Sequence, residues 1–235
     1  MKIAKEFSRF AKDYNQHNII QAEVAKQLVH SLNLKSYERI LDIGCGRGEV
    51  CKNLEDNLIN FTHFCGVDMA VGMLDLHPKR DSIILVNGDF SLENTFTNLP
   101  YSRYDVVLSS SALQWSQNLD ITLLNISKLS DKAYFSIFTS GTFSSLHKFA
   151  NINSPIYSDL YLRDKIDKYF NAKYEVINYK LYFGTVYEML RYIKESGISG
   201  GKAQLSFKEI KRVMCEYPLK YLEFEVIFVK AISKV

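Results

Sequence analysis

The 235-residue chain predicts an α/β domain, a mostly parallel sheet covered by helices on both faces. Three observations lead there. Short apolar and β-branched runs recur between residues 39 and 139, with helix-length intervals between most of them. The first run ends in an acidic residue followed by glycines on alternate positions, which suits a strand-to-helix turn. Two longer runs rich in aromatic and β-branched residues, at 174–183 and 221–232, are expected to end the sheet as an antiparallel pair.

Taken in order, residues 5–32 read as helical, because Val24, Leu28 and Leu32 fall at i, i+4 and i+8 with Ala25 and Val29 widening the stripe. Residues 39–43 are a short apolar run stopping at Gly44, the pattern of a strand buried on both faces. Further strands are expected at 62–67, 82–86, 105–108 and 134–139. Two helical segments separate the last two strands, and each opens with a capping-box pattern: Thr185 with Glu188, then Ser206 with Glu209. Gly197 is placed to stop the first helix, Pro218 lies beyond the second, and residues 196–202, with three glycines, form the expected mobile loop. With no repeat, low-complexity tract or linker, residues 1–235 read as one domain. It divides into a helical cap (1–34), a core (35–183), a helical insert (184–219) and a last strand (220–235).

Composition excludes several classes of function. Hydrophobic residues at 47%, charged at 23% and aromatic at 13% leave no room for a disordered or collagen-like chain. The 29 basic against 26 acidic residues give a formal +3 without a like-charge run, too weak a field to imply nucleic acid. Cys45, Cys51, Cys65 and Cys215 form no CxxC pair, and the first ten residues hold no secretory core, so a reducing cytoplasm is expected. No membrane span and no metal are expected, since no apolar stretch nears about 18 residues and the histidines lack ligand spacing.

The string Asp42-Ile43-Gly44-Cys45-Gly46-Arg47-Gly48 carries the chemistry. Glycines at a strand end accept positive φ and let a ligand approach the backbone. A dinucleotide site would read G-x-G-x-x-G, but Gly48 comes one residue early and Glu49 stands in the last place, which speaks against NAD. A tight turn without a ligand is the competing reading. Asp68 ends the next strand, where two carboxylate oxygens suit a vicinal diol. A helix cap would use the same residue type.

The motif resembles the first motif of the class I S-adenosylmethionine-dependent methyltransferases. That resemblance implies a Rossmann-like, seven-stranded sheet with an antiparallel last strand, and S-adenosylmethionine as cofactor, leaving as S-adenosylhomocysteine. It places Asp42, Gly44, Cys45, Gly46 and Gly48 at the amino-acid end of the cofactor, Asp68 on the ribose and Met69 and Phe90 on the faces of adenine. Gly88 and Asp89 fall at the adenine amine, where Gly-Asp is also a common turn pair. Ser109, and the serines after it, would line the place where the methyl group is presented.

At the fourth strand the acid or Asn, two prolines and aromatic of base-methylating relatives are absent; the chain reads Ser-Ser-Ser-Ala-Leu-Gln-Trp. Leu113-Gln114-Trp115, with Asn118-Leu119 after it, is similar to the malonyl-acyl-carrier-protein O-methyltransferases that prime biotin synthesis. Phe7 to Ala11 with Tyr14, His17 and Gln21, the Tyr182-Phe183-Gly184 string and the Leu190-Arg191 helix resemble the same family, while 143–173 departs from it.

The family implies transfer to the free carboxylate of malonyl-acyl carrier protein, or malonyl coenzyme A, masking its charge for elongation. A carboxylate of pKa near ~4 is ionised at neutral pH and needs no general base. A planar arginine would hold it, with Arg191 the first choice and Arg9 and Arg47 its rivals. Tyr14 would help close the cofactor pocket, Gln114 and Trp115 would line the place where the methyl group is presented, and Lys202, Lys208, Lys211 and Arg212 would meet an acidic carrier. A solvated helix face explains the same charges. A monomer is expected. Another small carboxylate, a quinone or a lipid precursor as acceptor, or a non-catalytic cofactor-binding module, are the alternatives.

Overall fold

Strands whose residues are apolar on both faces need helices on both sides, and alternate side chains then enter two different cores. The computed structural model, which describes residues 18–195 and 205–235, has that arrangement. Strands β1 (Ser36–Ile43), β2 (Asn60–Asp68), β3 (Ile83–Asn87), β4 (Val106–Ser110) and β5 (Lys132–Phe138) run parallel. Two long strands, β6 (Phe170–Tyr182) and β7 (Tyr221–Ser233), complete the sheet in the order β3-β2-β1-β4-β5-β7-β6. Strand β7 is antiparallel to both neighbours, pairing with β6 from Phe170↔Ser233 to Tyr182↔Tyr221.

Ile40 enters one core, with Val24 and Leu28 of α1 (Ile19–His30) and Leu54 of α2 (Glu49–Asp56). Its neighbours Leu41 and Ile43 enter the other. Two short helices, α3 (Val71–Leu74) and α4 (Glu93–Thr97), follow β2 and β3. The second core is closed by Leu123 and Ile126 of α5 (Leu119–Leu129). The sequence pattern left residues 143–173 unplaced; they hold α6 (Ser144–Ala150) and α7 (Asp159–Tyr169), whose Leu162 and Ile166 join the same core.

Helix α7 runs straight into β6, which begins earlier than its aromatic run suggested because buried Phe170 already pairs with β7. Strand β1 likewise starts at Ser36, since alternation at its outer end lets Tyr37 bury between exposed neighbours. The insert is α8 (Val186–Glu195) and α9 (Phe207–Glu216). Ser206 and Glu209 make the complete reciprocal cap. Thr185 makes only half of one: its hydroxyl accepts from the Glu188 N–H at 3.1 Å, but the Glu188 carboxylate turns to the Gly184 N–H at 3.0 Å. The helix stop read at Gly197 and the glycine loop lie outside the described residues.

Phe224 of β7 joins the insert to the core. Fully buried, it meets Phe143 at 5.1 Å, Phe138 at 6.1 Å and Tyr192 of α8 at 6.5 Å between ring centroids. Phe224→Ala is expected to lower unfolding free energy by about 3–5 kcal/mol in urea titrations, the usual range for a large aromatic truncated in a core.

Candidate active site

Strand order reverses between β1 and β4, both of which leave the sheet at their carboxyl ends with helices on opposite faces, and this opens a crevice between the turns that follow them. A cleft of about 780 Å³, including its open mouth, lies there. Gly44 to Arg47 form one wall, and Asp68, Met69 and Phe90 a second. Ser110, Ser111, Ala112 and Trp115 form a third, with Gln21 and Ala25 of α1 facing them.

The turn is bent by left-handed glycines, Gly44 at φ +74°, Gly46 at +52° and Gly48 at +89°. At Gly44 no side chain fits, because a Cβ would stand 2.2 Å from that of Ala112 in the turn after β4. The N–H groups of Gly44 and Cys45 both donate to the Val67 carbonyl, at 2.7 and 3.0 Å, so the turn is tied to the end of β2. Asp68 completes the tie. Its Oδ2 accepts from the Gly46 N–H at 2.9 Å and its Oδ1 from the Ala70 N–H at 2.8 Å. The capping reading and the ligand reading are therefore compatible, because each carboxylate oxygen keeps a lone pair for a diol.

Other sequence-derived residues act from behind the lining. Asp42 is fully buried beneath the turn, and neither carboxylate oxygen has a hydrogen-bond partner. Burial, with repulsion from Asp68 added, pushes its pKa well above the usual carboxylate range. Ser109, also fully buried, donates to the Ile43 carbonyl at 2.7 Å and so fastens β4 to β1. Gly48 is the N-cap of α2, and Gly88 packs against Thr95. Asp89 is buried, its Oδ1 accepting from the Ser91 N–H at 2.8 Å, so it builds the turn that sets Phe90 against the cleft. Gln114 is buried behind Trp115 and donates to the Ser111 carbonyl at 2.6 Å.

Arg191 stands apart. Its side chain is 55% exposed, pairs with Glu195 at 3.7 Å and does not line the cleft. Tyr14, Arg9, His17 and Lys202 lie outside the described residues. The cleft also recruits residues with no signal of their own in the motif, Met73, Val50 and Ala25, whose apolar character reads as ordinary core.

The lining has the chemistry of a polar ligand's site. Buried polar atoms are nearly always paired, yet Gln21 Oε1, Ser111 Oγ and Arg47 Nε and Nη1 are buried here without partners. Ser111 also holds a left-handed φ of +58°, a strain that collects at functional sites. A carboxylate at Asp68 with free lone pairs, apolar side chains at Met69 and Phe90 and a turn cleared of side chains have the chemistry that a nucleoside carrying an amino-acid tail would need.

Comparison with known proteins agrees with that fit. Residues 41–131 match a family described as a methyltransferase domain. The chain is 30% identical over 161 residues to a malonyl-[acyl-carrier protein] O-methyltransferase of Priestia megaterium, covering 62% of this chain and 54% of that protein. A protein of the same description from Acetivibrio thermocellus is 34% identical over 146 residues, covering 60% and 50%. The chain thus spans about half the length of these curated relatives. An 18S rRNA (guanine(1575)-N(7))-methyltransferase of Saccharomyces cerevisiae is 33% identical over 106 residues, 43% of this chain and 35% of that one. The solved YcgJ protein of Bacillus subtilis superposes with a TM-score of 0.64 at 10% identity, covering 91% and 99%.

Two measurements test the site. Asp68→Ala removes an acceptor of two charge-assisted hydrogen bonds, at about 1.5–3 kcal/mol each, so calorimetry should show S-adenosylhomocysteine bound at least about 100-fold more weakly; an unchanged affinity removes Asp68 from the ribose. For Asp42 the raised folded-state pKa means that the folded protein holds the proton more tightly than the unfolded chain does. Stability tied to it is complete at low pH and falls as pH rises above about 4 toward the folded value. Urea titrations should find that fall in the native chain and not in Asp42→Asn. Residues 41–131 match the methyltransferase-domain family, and the described residues carry a Rossmann-like, seven-stranded sheet, the fold shared with the solved YcgJ protein.

Proposed function

We propose that this chain is a carboxyl O-methyltransferase acting on the free carboxylate of a malonyl thioester. The observation that supports the reading is the lining of the cleft: among the described residues it holds one basic side chain, Arg47, no histidine, lysine or tyrosine, and two carboxylates, of which Asp68 is tied to backbone N–H groups and Glu49 alone stands as a candidate base. An amine or phenol acceptor would need a positioned base to take its proton. A carboxylate does not. Burial, with Asp68 and Asp42 nearby, pushes the Cys45 thiol well up, so that thiol is neutral and takes no proton at neutral pH. The names of the relatives from Priestia megaterium and Acetivibrio thermocellus support the same acceptor.

When bound, the cofactor supplies an electrophilic methyl group. The residues of this chain then have three tasks. Asp68 and the turn fix the nucleoside, Trp115 and Ser111 bound the space beside the reacting centre, and Gln114 positions the Ser111 carbonyl. Holding the reactants in line in a partly dry cleft supplies most of the rate. Arg191, paired with Glu195 at 3.7 Å and outside the cleft lining, is left without an acceptor role in this reading.

The carrier is the finer part of the proposal. Lys208 and Lys211 on α9 are free to face an acidic carrier protein, whereas Arg212 is engaged over the Phe149 ring at 5.0 Å and donates to the Phe149 carbonyl at 2.5 Å. Labelled methyl transfer to malonyl carrier protein, malonyl coenzyme A and free malonate separates the possibilities. Salt-sensitive turnover of the carrier substrate is expected. Label in none of the three, with the cofactor bound, would assign the cleft to another acceptor or to a binding module.

A further inference from the structure

The partly buried guanidinium of Arg47 carries an inference beyond the choice of acceptor. Arg47 stands between two left-handed glycines, Gly46 and Gly48, so its backbone is held by the turn itself. It lines the cleft, as do Gln21 and Ala25 of α1. Nε and Nη1 are both buried without a hydrogen-bond partner, and among the described residues no carboxylate forms an ion pair with it. Glu49, two residues on, lines the same cleft without reaching it. A guanidinium shielded from water on two nitrogens is costly unless an anion meets it. Its planar fork matches a carboxylate through two parallel hydrogen bonds.

We propose that Arg47 is the carboxylate-binding residue of the cleft. Two carboxylates come within its chemistry: that of the cofactor's amino-acid end and that of the acceptor. The second source rests on the malonyl thioester reading above; the first does not. Arg191, exposed and paired with Glu195, leaves the cleft without a second cation among the described lining residues.

The test uses the full chain, with Arg47→Gln to remove the charge and Arg47→Lys to keep it without the fork. Calorimetry reads S-adenosylhomocysteine, which has the amino-acid carboxylate, and 5′-methylthioadenosine, which lacks the whole amino-acid end. If Arg47 meets the cofactor, Arg47→Gln weakens S-adenosylhomocysteine tenfold or more, leaves methylthioadenosine unchanged, and Arg47→Lys recovers part of the loss. If it meets the acceptor, both nucleosides bind as before, and KM for the malonyl thioester rises tenfold or more with kcat little changed. Equal weakening of both nucleosides means that Arg47 only supports the turn, and overturns the proposal. So does unchanged S-adenosylhomocysteine binding with an unchanged KM, or with no malonyl turnover in the native chain. Because the nucleoside comparison requires no turnover, failure of the malonyl reading alone is distinguishable from failure of this one.

Discussion

Two backbone N–H groups, from Gly46 in the turn after β1 and from Ala70 at the start of α3, converge on the Asp68 carboxylate. Much of the cleft depends on that convergence. It holds the glycine turn against the end of β2, while the Val67 carbonyl takes the N–H groups of Gly44 and Cys45 from the same side. On the other flank, Ser109 fastens β4 to the Ile43 carbonyl, and Ala112 fills the space that a side chain at Gly44 would need. The ends of three adjacent strands are thus locked before any ligand arrives. A ligand entering the cleft would meet a surface whose ordering cost has already been met by folding, which is the physical content of preorganisation.

That surface is held at some cost to the fold. Asp42 lies beneath the turn with both oxygens unpartnered, and its raised pKa shows that the folded chain favours its neutral form. Ser111 holds a backbone conformation that glycine would adopt more easily, with its hydroxyl buried and unmatched. Such features lower stability and survive where the surrounding packing over-determines them. Here Ile40, Leu41, Ile43, Val107 and Leu108, all fully buried, supply that packing.

The cofactor half and the acceptor half obey different rules. The glycine turn and Asp68 answer to a ligand with fixed chemistry, so backbone geometry decides them. Outside the cleft lining, the α8–α9 insert packs on the sheet through Phe224 and Tyr192. Relatives that share the core carry descriptions as different as malonyl carrier protein and rRNA guanine methylation. A shared scaffold therefore says little about the acceptor, and the case for a carboxylate rests on side chains in the cleft.

The sequence alone was enough to read the strand succession, the final antiparallel pair, the reciprocal cap at Ser206 and the glycine turn, because each depends on local periodicity or on one residue's backbone freedom. Short-range pattern could not show that α7 would feed β6 without a break, since burial of Phe170 is decided by strand β7 far along the chain. Nor could it rank the arginines. Arg191 and Arg47 are equivalent as letters, and only packing exposes one beside Glu195 and strips the other of partners inside the cleft. Asp89 and Ser109 differ in the same way from their sequence-derived roles, bonding backbone behind the lining rather than forming it. Residue type and spacing determine which groups are present, but their hydration and their neighbours are long-range properties, and those the tertiary structure decided.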